Sequence, residues 1–330
     1  MRRPSALITG IAGFAGSYLA EELVASGFDV SGTLLKNEST RNLGSVKANI
    51  RLATLDILNQ SKSEALVRRL KPDYVFHLAA IASVGQSFDK EDQTFQVNFH
   101  GTLNMLRATQ QPVKLKKFLY VSSCDAYGVV SKTGSPIAES QPLRPISPYG
   151  ISKAAAEFAC QYYYRRYRVP VVIVRAFNHS GPRQTESFVI PSFARQIALI
   201  EAKRQPPILK VGDLSAKRDF SDVRDVVGGY RLIAEQVEPG EIVHICSGKA
   251  VSIKRVLDML LQLSTARISV QVDRGRLRKA DIPVLRGSNR QLRLRTGWSP
   301  HYQLAQTLSD TLNYWRREVA AHGTISKRRS

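Results

Sequence analysis

The sequence predicts an α/β protein, a doubly wound parallel sheet with a smaller α/β lobe. Three observations carry this. Short, nearly continuous apolar runs alternate with amphipathic stretches through the first 175 residues, the pattern of a parallel sheet covered on both faces. A glycine-rich turn joins the first run to the first amphipathic stretch. Beyond Ala176 the alternation gives way to a polar loop and a Pro206-Pro207 break, as expected where a second lobe begins. A length of 330 residues is enough for about two such cores.

The elements follow in order. Residues 6–9 read as a strand, and Phe14, Tyr18, Leu19, Leu23 and Val24 then mark one face of a helix stopped by Ser26-Gly27. Residues 29–35 and 50–55 read as the second and third strands, and 63–70 as a helix ended by Pro72. Residues 74–79, 118–122 and 171–175 are the fourth, fifth and sixth strands. Residues 178–186 read as a loop. Residues 192–203 and 222–236 read as helices, and 242–246 as a seventh strand of the same sheet.

Composition narrows the function classes. Hydrophobic residues make up 43% and charged residues 23%, which excludes a disordered or fibrous chain. Three cysteines (Cys124, Cys160, Cys246) suit neither a disulfide framework nor a zinc knuckle, so a cytoplasmic, reducing setting is expected. No secretory h-region precedes the first strand, and no apolar run approaches the roughly 18 residues of a membrane span, so no membrane partner is expected. The net charge of +21 favours anionic ligands. No aromatic-interleaved basic stripe accompanies it, so no specific nucleic-acid partner is expected, and the surplus reads as solvated charge.

The turn after the first strand holds T-G-x-x-G-x-x-G: Thr9, Gly10, Gly13 and Gly16. Between a strand and a helix, this is the fingerprint of a Rossmann-type dinucleotide site. Glycines let the backbone approach a pyrophosphate, and the helix N-terminus adds amide donors. An NAD site usually carries an acid about 20 residues further on. Here Thr33, Leu34, Leu35 and Lys36 stand there, with no acid until Glu38 and with Arg41 following. A cation without a carboxylate favours NADP(H), with NAD(H) the alternative.

Tyr149 and Lys153 form Y-x-x-x-K in PYGISKAAAEF, one helical turn apart on one face. A phenol titrates near 10, and a neighbouring ammonium would lower it enough for proton exchange with a carbinol or carbonyl oxygen. Ser123, at the end of the fifth strand, would donate to that oxygen. Asp125 has two readings, a substrate contact or base and a turn cap.

TGIAGFAG, HLAA (77–80), VNFHGT (97–102), SSCDAYG and PYGISK together resemble the extended short-chain dehydrogenase/reductase enzymes that modify nucleotide sugars. RAFNHSGPRQ (175–184), FVIPSFARQIA (188–198), VGDLSAKRDFSDVRDV (211–226), RLRKADIPVLRGSN (276–289) and TGW (296–298) resemble its GDP-mannose branch of dehydratases and reductases. The resemblance implies a dinucleotide-binding domain (1–175 and 221–250), a nucleotide-sugar lobe (176–220 and 251–320) and a basic tail (321–330). It implies cofactor contacts at Phe14, Asp56, Ile57, Leu78, Ala79, Ala80 and Asn98. It also implies substrate contacts at Asn178, Val189, Arg218, Arg278 and Asp281. His179 would face the nicotinamide or sit in the core, and Asp222 and Asp225 would be structural. A homodimer through helices near 98–110 and 152–168 is implied, and no metal.

Two departures favour the reductase side of that branch. The dehydratases carry a Glu where this chain has Asp125, one methylene shorter, and a shift of about 1 Å in a catalytic group can cost a hundredfold. They carry a Lys where this chain has Ser192. The expected reaction is NAD(P)H-dependent reduction of GDP-4-keto-6-deoxy-D-mannose at C4 to GDP-D-rhamnose. The rivals are a 4,6-dehydratase, a UDP- or dTDP-sugar epimerase or reductase, and a non-enzymatic cofactor-binding module.

Overall fold

A computed structural model describes residues 2–110, 114–129, 135–276 and 282–326. The chain starts with β1 (Ser5–Thr9), α1 (Phe14–Ala25), β2 (Asp29–Leu34), β3 (Ile50–Thr54), α2 (Gln60–Leu70) and β4 (Tyr74–His77). It continues through α3 (Val84–Asp89), α4 (Glu91–Phe95), α5 (Gly101–Thr109), β5 (Lys117–Ser123), α6 (Pro148–Tyr167) and β6 (Val171–Ala176). Next come β7 (Asn178–Ser180), α7 (Val189–Glu201), β8 (Ile208–Val211), β9 (Lys217–Asp222), α8 (Val223–Gln236) and β10 (Ile242–Ile245). Last are β11 (Ala250–Ser252), α9 (Ile253–Gln262), β12 (Ser269–Val272), β13 (Val284–Leu285), α10 (Arg290–Thr296) and α11 (Leu304–Ser326).

Seven parallel strands form one sheet in the order β10-β6-β5-β4-β1-β2-β3. The order reverses between β1 and β4, and ligands of such sheets bind in the crevice at that point. Strand alternation explains the continuous apolar runs. Ala6, Ile8, Phe76, Leu119, Val172 and Val174 pack on one face with Leu19 and Leu23 of α1 and Val226, Tyr230 and Ile233 of α8. Leu7, Val75, Phe118, Tyr120, Val171 and Ile173 pack on the other with α2, α5 and α6. Each large apolar side chain so buried is worth about 1.5–3 kcal/mol. A further cluster joins α7, β8, β9, α9 and α11.

Three sequence expectations shift. The fourth strand ends at His77 rather than at 79, because the Thr9 hydroxyl takes the Leu78 and Ala79 N–H groups, each at 3.1 Å. The loop at 178–186 opens with β7, which pairs with β9. The tail expected from residue 321 begins inside α11, which runs to Ser326; residues 327–330 lie outside the described residues.

A buried ion pair ties α6 to the sheet. Arg175 of β6 forks onto Glu157 of α6, with Nε at 3.0 Å from Oε1 and Nη2 at 2.7 Å from Oε2; the two side chains are 4% and 0% exposed. The Ser122 hydroxyl donates to Glu157 at 2.5 Å, and Arg175 Nη1 donates to the Tyr127 hydroxyl at 2.6 Å. Tyr127 in turn bonds His244 Nε2 at 2.5 Å; burial holds that imidazole down to about 3, so it is neutral, and its Nδ1–H donates to the Ser288 carbonyl at 3.2 Å, which leaves Nε2 to accept. Removing one partner of such a pair strands a charge in the interior. Glu157→Leu is expected to lower unfolding stability by about 3–5 kcal/mol in urea titrations, and Glu157→Leu with Arg175→Met to recover most of it. A double variant no more stable than Glu157→Leu would refute the stranded-charge account.

Candidate active site

The C-terminal ends of the sheet strands open into a cavity of about 1100 Å³ that continues between the sheet and the α7–β9 layer. At the switch point, Gly10 has φ +71°, and a Cβ there would stand 3.1 Å from Ala79 Cα. A Cβ on Gly16 would stand 2.2 Å from the Gly10 carbonyl oxygen. These glycines bring β1, the turn and the first turn of α1 closer together than any side chain allows. The Gly13 end of α1 carries no side-chain cap, so its amides remain available to an anion.

A hydrogen-bond chain fixes this turn from beneath. The Thr102 hydroxyl donates to the Asn98 carbonyl at 2.6 Å and therefore accepts from His77 Nε2 at 3.0 Å. His77 Nδ1 is then the acceptor for the Thr9 hydroxyl at 2.8 Å. Burial holds His77 down to about 3, consistent with this neutral tautomer. Thr9, expected at the cofactor, is thus buried behind the turn and does not line the cavity.

Asn98 is corrected likewise. It is buried, and its amide binds the Ile81 N–H and C=O and the Ser152 hydroxyl, all within 3.1 Å. Lys36 is exposed and lies outside the cavity wall. Arg41 pairs with Glu318 of α11. Neither cation used to favour a 2′-phosphate therefore lines the cavity. Phe14, Asp56, Ile57, Leu78, Ala79 and Ala80 do line it. Asp56 also caps its own turn, accepting from Leu58 N–H at 2.9 Å.

The four expected catalytic residues meet on one wall. Ser147 caps α6 by accepting the Gly150 N–H at 3.1 Å, and Pro148 occupies its first turn. This start places Tyr149 and Lys153 beside the end of β5. Lys153 Nζ donates to the Val121 carbonyl at 2.8 Å and lies 6.0 Å from the Tyr149 ring centre. Burial lowers Lys153 to about 8 from an ordinary 10.5, with the Glu157 charge partly opposing the fall. Burial pushes the Tyr149 phenol up, the Asp125 charge adds to the rise, and a hydrogen bond with Ser123 opposes it. The phenol is therefore a proton carrier at neutral pH.

The cap of the turn after β5 is Ser123 rather than Asp125. The Asp125 N–H is capped by the Ser123 hydroxyl at 3.1 Å, while its carboxylate accepts from that hydroxyl at 3.1 Å and lines the cavity.

Across the cavity stand Asn178, Val189 and Arg218. Asn178 Oδ1 is buried with no hydrogen-bond partner among the described residues, a group that a ligand donor would satisfy. Arg218 is buried on β9 and donates to the Ile282 carbonyl at 2.6 Å. His179 stacks on Phe14 with ring centres 5.8 Å apart, and burial lowers its affinity for a proton. Arg278 and Asp281 lie outside the described residues.

Asp222 and Asp225 are structural. Asp222 caps α8 at Arg224 N–H, and Asp225 accepts from His301 and Tyr302 N–H. Sequence reasoning missed Glu38, Gln86, Phe188 and Arg276 in the wall. Arg276 Nη1 reaches the Ser192 hydroxyl at 3.1 Å; its one signal is the basic run that begins there.

The glycine cradle and the uncapped helix end fit a nicotinamide dinucleotide, and the buried Asn178 Oδ1 fits a hydrogen-bond donor of a second ligand. The chain matches the family model described as GDP-mannose 4,6 dehydratase over residues 7–311. It is 38% identical over 248 residues to GDP-6-deoxy-D-mannose reductase of Pseudomonas aeruginosa, covering 75% of this chain and 82% of that protein. It is 28% identical to GDP-mannose 4,6-dehydratase of Vibrio cholerae, covering 99% and 97%.

Among solved structures, RMD from Pseudomonas aeruginosa complexed with NADPH superposes with a TM-score of 0.82 at 32% identity, covering 96% and 99%. UDP-glucose 4-epimerase from Thermotoga maritima superposes at 0.87 and 27%, covering 96% and 99%. With this fold and this site geometry, the chain belongs to the GDP-mannose 4,6 dehydratase family, among the extended short-chain dehydrogenase/reductase enzymes.

Proposed function

We propose that the protein reduces GDP-4-keto-6-deoxy-D-mannose at C4 to GDP-D-rhamnose. The observation that carries this reading is Asp125. A short carboxylate tethered to the Ser123 hydroxyl replaces the longer acid that an elimination needs. The reductase relative supports the same choice. A 4,6-dehydratase is the second reading, favoured by the family model and by the Asp125 carboxylate in the cavity wall.

The chain's residues divide the work as follows. The glycine turn and the α1 end bind the dinucleotide pyrophosphate, which NAD(P)H presents with the hydride it supplies. Arg218, Arg276 and Asn178 bind the diphosphate of the nucleotide sugar by charge-assisted and amide hydrogen bonds, and Val189 packs on the base. The Ser123 hydroxyl orients the C4 carbonyl. Tyr149 delivers its proton to the oxygen formed there, and the Lys153 cation stabilises the phenolate left behind. We also propose that residues 1–175 and 221–250 act as the dinucleotide-binding domain, with the remaining lobe holding the sugar nucleotide. The setting is cytoplasmic. The described residues contain no helix long and apolar enough to cross a membrane, and the three cysteines are buried and free.

A homodimer completes the reading. Ile151, Phe158 and Tyr162 expose one apolar stripe on α6, with Phe158 62% exposed. Such a stripe is costly in water and fits a symmetric helix pair.

Three outcomes are expected. Given GDP-4-keto-6-deoxy-D-mannose and a reduced nicotinamide cofactor, the protein consumes the cofactor and yields GDP-D-rhamnose by NMR, and Tyr149→Phe loses about 10²–10⁴-fold in kcat/KM. Conversion of GDP-mannose to the keto sugar without added cofactor would make it the dehydratase. The Lys153 cation is complete well below its value of about 8 and lost above it, so kcat/KM falls as pH rises through about 8, and Lys153→Arg moves that limb upward. A flat profile through that range would remove Lys153 from the role. In light scattering the wild type has twice the chain mass and Phe158→Glu the single mass; a monomeric wild type rejects the dimer.

A further inference from the structure

The sequence expects the surplus of positive charge to be solvated and without a role, but the fold gathers part of it on one face. Every strand of the seven-stranded sheet is parallel, so the N-terminal ends share one edge, opposite the ends that open into the cavity. β6, β5, β4 and β1 are neighbours in that order, and at the usual strand spacing their starts span about 15 Å. The turns that enter these strands touch one another. The Lys116 N–H donates to the Asp73 carbonyl at 2.8 Å, the Phe118 N–H to the Pro170 carbonyl at 2.9 Å, and the Ser5 N–H to the Asp73 carboxylate at 2.8 Å.

These four turns carry six exposed cations: Arg2 and Arg3 before β1, Lys71 before β4, Lys114 and Lys116 before β5, and Arg168 before β6. The last-turn cations of α2 and α6 complement their helix ends and stay out of this count. Among the described residues, Arg3, Lys71, Lys114 and Arg168 make no ion pair, and Arg2 and Lys116 pair only with Asp73, at 3.9 and 4.0 Å. That carboxylate is already taken by the Ser5 N–H and hydroxyl. Pairing resumes on either side of the patch, where Asp29 takes Arg51 and Glu241 takes Arg295. Like charges spread over about one to two Debye lengths repel, and the single carboxylate of these turns leaves most of that repulsion standing.

We propose that this edge is a peripheral docking surface for an anionic lipid bilayer, which holds the protein with its cavity facing away from the membrane. Such docking needs no membrane span, and the described residues contain no helix long and apolar enough to make one. Six cations fall within the range of about 4–8 that binds acidic lipid headgroups. A bilayer is a continuous anionic plane, which a row of turns meets without a groove. A nucleic-acid duplex is read by an element that enters a groove, whereas this edge presents turns and helix C-terminal ends. Tyr167 is exposed at the end of α6, with the Arg166 guanidinium 5.3 Å from its ring centre. It supplies an amphipathic ring of the kind that sits at a headgroup layer, and it lies beyond the Ile151, Phe158 and Tyr162 stripe given to the homodimer.

The test is co-sedimentation of the full-length protein with vesicles of phosphatidylcholine, alone or with about one third phosphatidylglycerol. The wild type should pellet with the anionic vesicles only, and should be released as salt rises from about 0.05 to about 0.5 M. Each cation at such a surface is worth about fivefold in partitioning, so Arg3→Gln with Lys114→Gln and Lys116→Gln should lose about a hundredfold. Lys249→Gln with Arg255→Gln and Arg267→Gln removes the same charge from exposed positions of the second lobe, and should lose less than about fivefold. In the wild type alone, bound vesicles should slow acylation of Lys71, Lys114 and Lys116 and leave Lys249 unchanged, a readout that needs no variant. Failure to pellet with anionic vesicles overturns the proposal, as do equal pelleting with neutral ones, equal losses in the two triple variants, or unslowed acylation. Tighter binding to a DNA duplex than to the vesicles at the same salt would make the face a nucleic-acid surface instead, and would overturn it too.

Discussion

The contact between Arg175 and Glu157 holds the catalytic wall together. It is buried, bidentate and shared with Ser122. Ser122 precedes Ser123 on β5, and Glu157 follows Lys153 by one turn of α6. The pair therefore sets the height of α6 against the strand ends, and with it the reach of Lys153 to the Val121 carbonyl. Buried ion pairs add little stability compared with apolar residues of the same shape, but separating the two partners is strongly destabilising. That property suits a wall where a phenol, an ammonium and a hydroxyl must meet at one oxygen.

A second constraint is backbone proximity at the switch point. Gly16 lies so near the Gly10 carbonyl that no Cβ fits. The Thr9–His77–Thr102–Asn98 chain anchors the same turn through neutral, fully paired groups. Thr9 and Asn98 thus belong to the scaffold of the cofactor site, one shell behind its surface. Both residues satisfy buried donors and acceptors there.

The cavity wall carries charges of both signs. Arg218 and Arg276 stand there with Asp213 and Glu186, while Glu38 and Asp56 stand at the β2–β3 end. Burial brings Lys153 down toward neutrality and pushes Tyr149 up, so the pair works as a proton carrier beside a cation rather than as a standing phenolate. Lys36 and Arg41 stay outside the wall.

The sheet, its flanking helices, the glycine turn and the Ser123, Tyr149 and Lys153 set were legible in the sequence by itself. These features are local: strand alternation, helical spacing and residues whose backbone or chemistry has few substitutes. Long-range pairing decided the rest. Whether Thr9 faces a ligand or a histidine depends on β4 and α5, nearly 70 to 90 positions away. That Glu38 and not Lys36 lines the cavity depends on the one turn that Asn37 closes at φ 65°. Arg276 enters the cavity because its segment folds back on Ser192 of α7. Hydrogen-bond partners and the direction of a side chain at a turn are properties of the assembled chain, and only the tertiary structure decided them.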